Sequence, residues 1–306
     1  MRPLEKNGDV PHTTRGKAHI FSPVVHKQRV IVTAVMNAVT DILVAQSALV
    51  FLGEKMMAVW TELFKDLPRP AGLFITATDT EVGKTIITGA IARLLRQAGR
   101  KVGVLKPVAS GCRRDREGLI SADAEFLAVC AETDYPLSVI TPVCYKTPAA
   151  PVVCAAVERR DVDFEAIAAA YGYLAETCDV VLVEGIGGAL VPLTEEATIL
   201  DVAAVLDLPA VIVARPGLGT INHTLLTLAA VRAVGLPVAG VVINGYNAAD
   251  AGIPEETAPD VIARCGRTHV LTIVPYDQDS SVEALQLGPA VLEAMALCDW
   301  ETLSRS

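Results

Sequence analysis

The stretch Leu73-Phe-Ile-Thr-Ala-Thr-Asp-Thr-Glu-Val-Gly-Lys-Thr85 constrains this chain more than any other, because a short apolar run passes at once into a polar loop ending Gly83-Lys84-Thr85. Leu73 to Thr76 suit a buried strand. The loop after them brings backbone N–H groups to a helix start, whose positive dipole end favours phosphate oxygens. Gly83 permits close backbone approach, Lys84 supplies a point charge for the β- and γ-phosphates, and Thr85 offers a hydroxyl to Mg²⁺. The strict phosphate-loop pattern asks for glycine where Thr78 stands, so the motif alone leaves a nucleotide site and a plain strand-to-helix turn both open.

The surroundings decide between them. At 306 residues the chain can form one large domain or two ordinary ones. A hydrophobic content of 52% with only 5% aromatics points to buried parallel strands built from Val, Ile and Leu rather than to an all-β protein. Residues 1–70 carry 9 Lys/Arg against 6 Asp/Glu, which leaves 17 against 29 in the rest. An acidic body argues against a general nucleic-acid surface, which needs clustered positive charge, so any anionic ligand must be held locally. The seven cysteines form no C-x-x-C pair and sit mostly in apolar stretches, which favours reduced thiols in a cytosolic protein over disulfides or zinc.

Residues 1–29 read as a tail with little periodicity; they are basic, yet a targeting peptide would carry more serine and a cleavage signal. Val30 to Leu52 has membrane-spanning length, but Thr33, Asn37, Thr40, Asp41 and Ser47 fall near one helical face, so an amphipathic helix is expected instead. Pro68 and Pro70 mark an expected domain boundary, with residues 1–70 an extension dispensable for activity. From Ala71 onward strand and helix patterns alternate, as in a doubly wound, mostly parallel α/β sheet. Strands are expected at 73–76, 102–105, 180–183, 210–214, 238–243 and 270–274. Helices are clearest over Thr85 to Ala98, closed by Gly99, and over Asn222 to Val234, closed by Gly235.

In such sheets ligands bind beyond the carboxyl ends of the strands. Lys106 follows the second strand, held extended by Pro107, and aims at the phosphate loop unless it is a solvated surface lysine. Glu184 follows the apolar run Val180-Val-Leu-Val183, where it suits Mg²⁺ directly or through water, although a capping carboxylate is the alternative. Asp123 in Ser121-Ala-Asp123 is a second carboxylate that could equally cap a helix. Gly217-Leu-Gly-Thr-Ile-Asn-His223 leads with glycines into a helix start suited to an anion. Asn244-Gly245 and Pro275-Tyr276-Asp277 close the last two strands, where an Asn can read a base edge and a Pro and Tyr can flank a flat ring, or form plain turns. His223 and His269 have no partner spaced for a triad or a metal site.

Taken in order, Thr78-Asp-Thr-Glu-Val-Gly-Lys-Thr85, Lys106-Pro-Val-Ala-Ser-Gly111, Ser121-Ala-Asp123, Val183-Glu-Gly-Ile-Gly-Gly188, Leu218-Gly-Thr-Ile-Asn-His223 and Asn244 resemble the motif series of the dethiobiotin synthetases, over about residues 71–306. The resemblance implies a P-loop fold and a cytoplasmic, dimeric ligase that uses ATP and Mg²⁺ to close a cyclic urea from 7,8-diaminononanoate and CO₂. It implies catalytic roles for Lys106, Lys84 and Thr80, and phosphate contacts from Glu81, Val82, Gly83, Lys84, Thr85 and Ile86. Thr85, Asp123 and Glu184 would surround Mg²⁺. Glu184, Gly185, Ile186 and Gly187, Asn244 with Gly245, and Pro275, Tyr276 and Asp277 would line the nucleotide site. Ser110 would meet the substrate, and Gly219, Thr220, Ile221 and Asn222 would receive its carboxylate across the dimer interface. Two positions depart from the family pattern: Ala77 stands where glycine is usual before T-D-T, and Val152 where many members carry His.

The chemistry suits these residue types. Carbamate and triphosphate bring negative charge together, and phosphoryl transfer is catalysed mainly by positioning and electrostatic stabilisation. The substrate's own amines attack, so no side-chain nucleophile is needed. The main rival is a switch or partitioning P-loop ATPase, which carries a signature lysine five positions before the loop lysine; here that position is Asp79. A cobyrinate-type amide ligase needs a glutaminase domain for which the chain has no room. A pure binding module has no use for two lysines and two carboxylates around one phosphate.

Overall fold

The computed structural model describes residues 60–116 and 118–305. The expectations for residues 1–29 and for a helix over Val30 to Leu52 lie outside the described residues. The chain runs β1 (Ala71–Ala77), α1 (Lys84–Gln97), β2 (Val102–Leu105), β3 (Val108–Ala109), β4 (Arg113–Asp115), β5 (Gly118–Ile120), α2 (Ala122–Ala131) and α3 (Leu137–Ile140). It continues through β6 (Val143–Cys144), α4 (Pro151–Glu158), α5 (Phe164–Thr177), β7 (Val180–Glu184), α6 (Ile199–Leu206), β8 (Ala210–Ala214) and α7 (Thr220–Ala233). The last elements are β9 (Val238–Tyr246), α8 (Ile253–Gly266), β10 (Val270–Pro275), α9 (Pro289–Met295) and α10 (Trp300–Leu303).

Six strands form one sheet in the order β10-β9-β8-β1-β7-β2, with every neighbouring pair parallel. These are the six apolar runs expected from sequence, and their continuous hydrophobicity follows from burial on both faces. Alternation along β1 sends Leu73, Ile75 and Ala77 into one layer with Ile91 and Leu95 of α1, Phe126 of α2 and Met295 of α9. Phe74 faces the other layer, with Tyr171 and Leu174 of α5, Leu206 of α6 and Leu228 of α7. The strand order reverses about β1, which lies between β7 and β8, so the crevice that this fold offers to ligands opens where β1 and β7 end.

The two best helix expectations hold to within two residues. Gly99 and Gly235 follow α1 and α7 with φ of 83° and 81°, and their N–H groups donate to Arg96 O and Arg232 O. Two small sheets were not foreseen: β3 pairs with β6 in parallel, and β4 with β5 as an antiparallel hairpin. Strands of two or three residues carry too little periodicity to be seen in a sequence.

Residues 60–70, which include the boundary expected at Pro68 and Pro70, belong to the same compact unit as the sheet. Trp60 and Phe64 are each only 3% exposed. The Trp60 ring lies 4.3 Å from that of Phe164, and Phe64 lies 6.5 Å from Tyr171, both on α5. Arg69 donates from Nη1 to Val205 O (3.1 Å) and Leu206 O (2.9 Å) at the end of α6. Burial of these side chains removes the ground for treating all of 1–70 as dispensable. Among the described residues no helix is long and apolar enough to cross a membrane.

Candidate active site

The phosphate loop occupies the crevice that the topology provides. β1 ends at Ala77, the loop turns through Glu81 (φ 59°) and Gly83 (φ 86°), and α1 starts at Lys84. The left-handed conformation at Gly83 is one that a side chain adopts only with strain. A Cβ there would lie 2.1 Å from Asn244 Nδ2, because that amide reaches across from β9 and donates to Val82 O at 2.9 Å. Val82 buries its side chain in the core and offers the loop only its backbone. Asp79 is paired with Arg215 (2.7 Å) at the end of β8. The position that carries a signature lysine in switch ATPases is therefore an acid with its own partner.

Beside the loop lies a cavity of about 380 Å³, lined by Thr80, Glu81, Gly83, Lys84, Thr85, Ile86, Lys106, Ser110, Ala122, Asp123, Ile186, Gly187, Val282 and Glu283. Segments that follow β1, β2, β3, β5, β7 and β10 all contribute to that wall, which is why residues far apart in sequence meet. Lys106, buried just beyond β2, is ion-paired with Asp123 and with Glu184 Oε1 at 2.7 Å. Burial alone would lower its pKa, but Glu184 and Asp123 outweigh burial and hold the ammonium above its ordinary value. Lys84 is also buried, and there burial prevails: its pKa is held down to about 8, with Glu184 pulling it up and Lys106 pushing it down.

Ser121 caps α2, its Oγ accepting from Ala124 N, which frees Asp123 in the first turn to face Lys106 rather than act as the cap. Thr85 Oγ1 donates to Glu184 Oε1 at 2.8 Å. Glu184 itself is fully buried, and its Oε2 has no hydrogen-bond partner. An orphaned buried carboxylate oxygen beside a threonine hydroxyl and a second carboxylate is a donor set that fits Mg²⁺. No group of three or more His, Cys, Asp or Glu is placed to hold a metal among the described residues. The smaller set here suits an ion that retains several waters.

The structure does not bring every expected residue to this cavity. Gly185 donates to Ile75 O, and a Cβ there would meet Phe74 at 3.2 Å, so its smallness serves close packing between β7 and β1. Asp277 turns its carboxylate onto the backbone, accepting from Asp279 N and Ala290 N. Tyr276 is 69% exposed beyond β10. Gly245 adopts φ 84° within β9, next to Asn244. Gly219, Thr220, Ile221 and Asn222 open α7 away from the cavity wall. A second cavity, also about 380 Å³, lies between Thr78 to Thr80, Gly188 to Pro192 and the α7 residues His223, Leu226, Thr227 and Ala230. Thr80 lines both. Ala77 is fully buried, so its extra methyl packs in the core, and Val152 lines a different hollow beside Phe164. Val282 and Glu283 are lining residues that sequence reasoning missed; the turn that carries them has no motif of its own.

A parallel sheet with a phosphate loop at its switch point, a buried loop lysine and a strand-end carboxylate defines a P-loop nucleotide-dependent protein. Consistent with this, a family described as an AAA domain matches residues 71–284. The ATP-dependent dethiobiotin synthetase BioD of Bacillus subtilis subsp. natto is 40% identical over 204 residues, covering 67% of this chain and 87% of that protein. Its counterpart from Thermodesulfovibrio yellowstonii is 40% identical over 213 residues, covering 67% and 89%. The chain belongs to the ATP-dependent dethiobiotin synthetase family. The Aquifex aeolicus MinC:MinD cell division protein complex is similar only distantly, with 16% identity and a TM-score of 0.48 over 76% of this chain and 94% of that one, and nothing about activity rests on it.

Proposed function

We propose that this protein closes the cyclic urea of dethiobiotin from 7,8-diaminononanoate and CO₂ at the expense of ATP, a step of biotin biosynthesis. One amine of the diamine captures CO₂ as a carbamate. A carbamate oxygen attacks the γ-phosphorus and ADP departs. The second amine then attacks the carbonyl carbon of the carbamic-phosphoric anhydride, and phosphate leaves as the ring closes. The observation that carries this reading is the convergence of Lys84, Lys106 and Ser110 on one cavity beside the phosphate loop.

Each group has a task there. Backbone N–H groups from Glu81 to Ile86 and the start of α1 cradle the phosphates, and Lys84 adds a charge to the β/γ bridge. Lys106, kept protonated by its two carboxylates, faces the place where carbamate and phosphoryl oxygens accumulate charge. Thr80 and Ser110 position the diamine. Thr85, Asp123 and Glu184 would hold Mg²⁺, which supplies charge neutralisation to the phosphates. Asn244, Gly245 and Pro275 to Asp277 are proposed to border the base.

A homodimer is proposed because Gly219 to Asn222 stand away from the cavity, and a second copy could bring them to it; exposed Leu190, Leu218 and Leu226 accompany them. A cytoplasmic location agrees with seven free cysteines. Purified protein given Mg-ATP, bicarbonate and the diamine is expected to release dethiobiotin and equimolar ADP, read by mass spectrometry. ATP hydrolysis indifferent to the diamine, with no cyclic urea formed, would overturn the assignment.

A further inference from the structure

Two of the seven cysteines lie outside the chemistry above yet are brought together beside it. The β3–β6 ladder places Ala109 opposite Cys144. Tyr145 then donates its N–H to Ala109 O (2.8 Å) and accepts at its own carbonyl from Cys112 N (2.9 Å), so the turn 109–112 folds back over residues 144–145. The fold-back makes Cys112 and Cys144 neighbours whose thiols influence each other's titration, and Cys144 Sγ donates to Thr141 O at 3.7 Å. Both cysteines are free. Cys112 is buried, while Cys144 is half-buried and lines a hollow of about 370 Å³ together with Arg160, Ser138 and Pro142. That hollow gives a small oxidant access to one sulfur of the pair and not to the other.

The surroundings assign different parts to the two thiols. The neighbouring Cys112 side chain lowers the pKa of Cys144 below its ordinary value against the effect of burial, and the Arg160 charge works in the same direction. Arg160 is fixed in place, donating from Nη2 to Cys144 O and lying 4.8 Å from the Tyr145 ring centroid. Cys112 is shifted upward, first by the Cys144 side chain and then by burial. An accessible thiol beside a buried one is the arrangement of an attacking and a resolving cysteine.

We propose that Cys144 and Cys112 form a peroxide-sensitive thiol pair whose disulfide displaces the Ser110 turn and closes down the active site. In the first step the Cys144 thiolate attacks hydrogen peroxide, forming an S–O bond and breaking the O–O bond, to give the sulfenic acid and hydroxide. In the second the Cys112 thiol attacks that sulfur; the S–S bond forms, the S–O bond breaks, and water leaves with the thiol proton. The pair loses two electrons in all, and a dithiol restores it. The link to activity follows from position. Ser110 lies between Ala109, fixed by its ladder with Cys144, and Cys112, and it lines the phosphate cavity. Drawing Cys112 onto Cys144 must move the segment between them.

The effect on catalysis rests on the proposed ring-closing function, whereas the cross-link does not, so the two are read separately. The full-length protein is treated with hydrogen peroxide, alkylated, digested and analysed by mass spectrometry. The expected product is a Cys112–Cys144 linked peptide that forms ahead of modification at exposed Cys265 and disappears with dithiothreitol. Cys112→Ser is expected to accumulate a Cys144 sulfenic acid that dimedone traps. Diamine-dependent turnover should fall at the rate at which the linked peptide appears. Cys112→Ser and Cys144→Ser should keep basal turnover and lose the dithiothreitol-reversible inactivation. Absence of the linked peptide at full Cys265 oxidation overturns the proposal, as does reversible inactivation of both variants at the rate of the unsubstituted protein. An unoxidised protein with no ring-closing activity but an intact cross-link would count against the assigned function alone.

Discussion

Lys106 carries its charge into a wall where burial opposes it, and it keeps that charge only because Glu184 and Asp123 both face it. Removing it therefore does two things. Lys106→Ala is expected to lower turnover by at least about a hundredfold, as for loss of one charge-stabilising donor. It also leaves the buried Glu184 carboxylate without its ion-paired counter-charge, which should show as a lower melting temperature. Near-normal turnover would count against the role. Lys84 gives a pH prediction of the opposite kind. With its pKa near 8 before nucleotide binds, the ammonium is largely neutral at pH 9, and a triphosphate that favours the charged form must draw in a proton. ATP affinity should then fall as pH rises through 8, by up to about tenfold per unit. Calorimetry at pH 9 in buffers of different ionisation enthalpy should register proton uptake; release of protons would contradict it. Both lysines were legible in the sequence by their motifs, but the opposite directions of their shifts were not, because these depend on carboxylates 17 and 78 residues from Lys106.

At the level of elements, the loop after β1 is held from outside by β9. Asn244 was expected to read a base edge, yet its amide also bonds to Val82 O, 162 residues away. Strand ends were visible in sequence because parallel strands buried on both faces are continuous apolar runs. A latch between two such ends depends on strand order, which local pattern does not encode. The same limit hid Val282 and Glu283, and the short β3–β6 ladder that sets the Ser110 turn. Gly83 tests the latch. Gly83→Ala forces a Cβ into the left-handed region, at about 1–2 kcal/mol, and drives it onto Asn244. ATP affinity should drop by about tenfold or more, since 1.4 kcal/mol is a factor of ten. Adding Asn244→Ala removes the clash and leaves the strain. The double variant should consequently bind ATP better than the two single losses sum to predict. Strict additivity would show that Asn244 does not hold the loop.

For the whole molecule, the N-terminal limit of the folded unit is the point where sequence and structure part. Pro68 and Pro70 look like a boundary because prolines end helices, and in the structure they do follow the helical residues 60–64. Ending a helix is not the same as leaving the core, however. Trp60 stacks beside Phe164, Phe64 lies against Tyr171, and Leu67 covers Gly172, where a Cβ would sit 3.0 Å from its Cδ2. A chain starting at Ala71 exposes that face of α5 and loses two buried aromatic side chains, each worth about 3–5 kcal/mol when truncated in a core. Such a loss approaches the entire stability of an ordinary domain, about 5–15 kcal/mol. Protein lacking residues 1–70 is accordingly expected to be insoluble or to melt far below the full chain. Removal of residues 1–51 alone should leave the melting temperature and ATP binding of the 52–306 unit intact. Thermal denaturation of the two truncations side by side checks this. A stable, ATP-binding 71–306 fragment would restore the proline boundary and reduce the aromatic contacts to an accessory role.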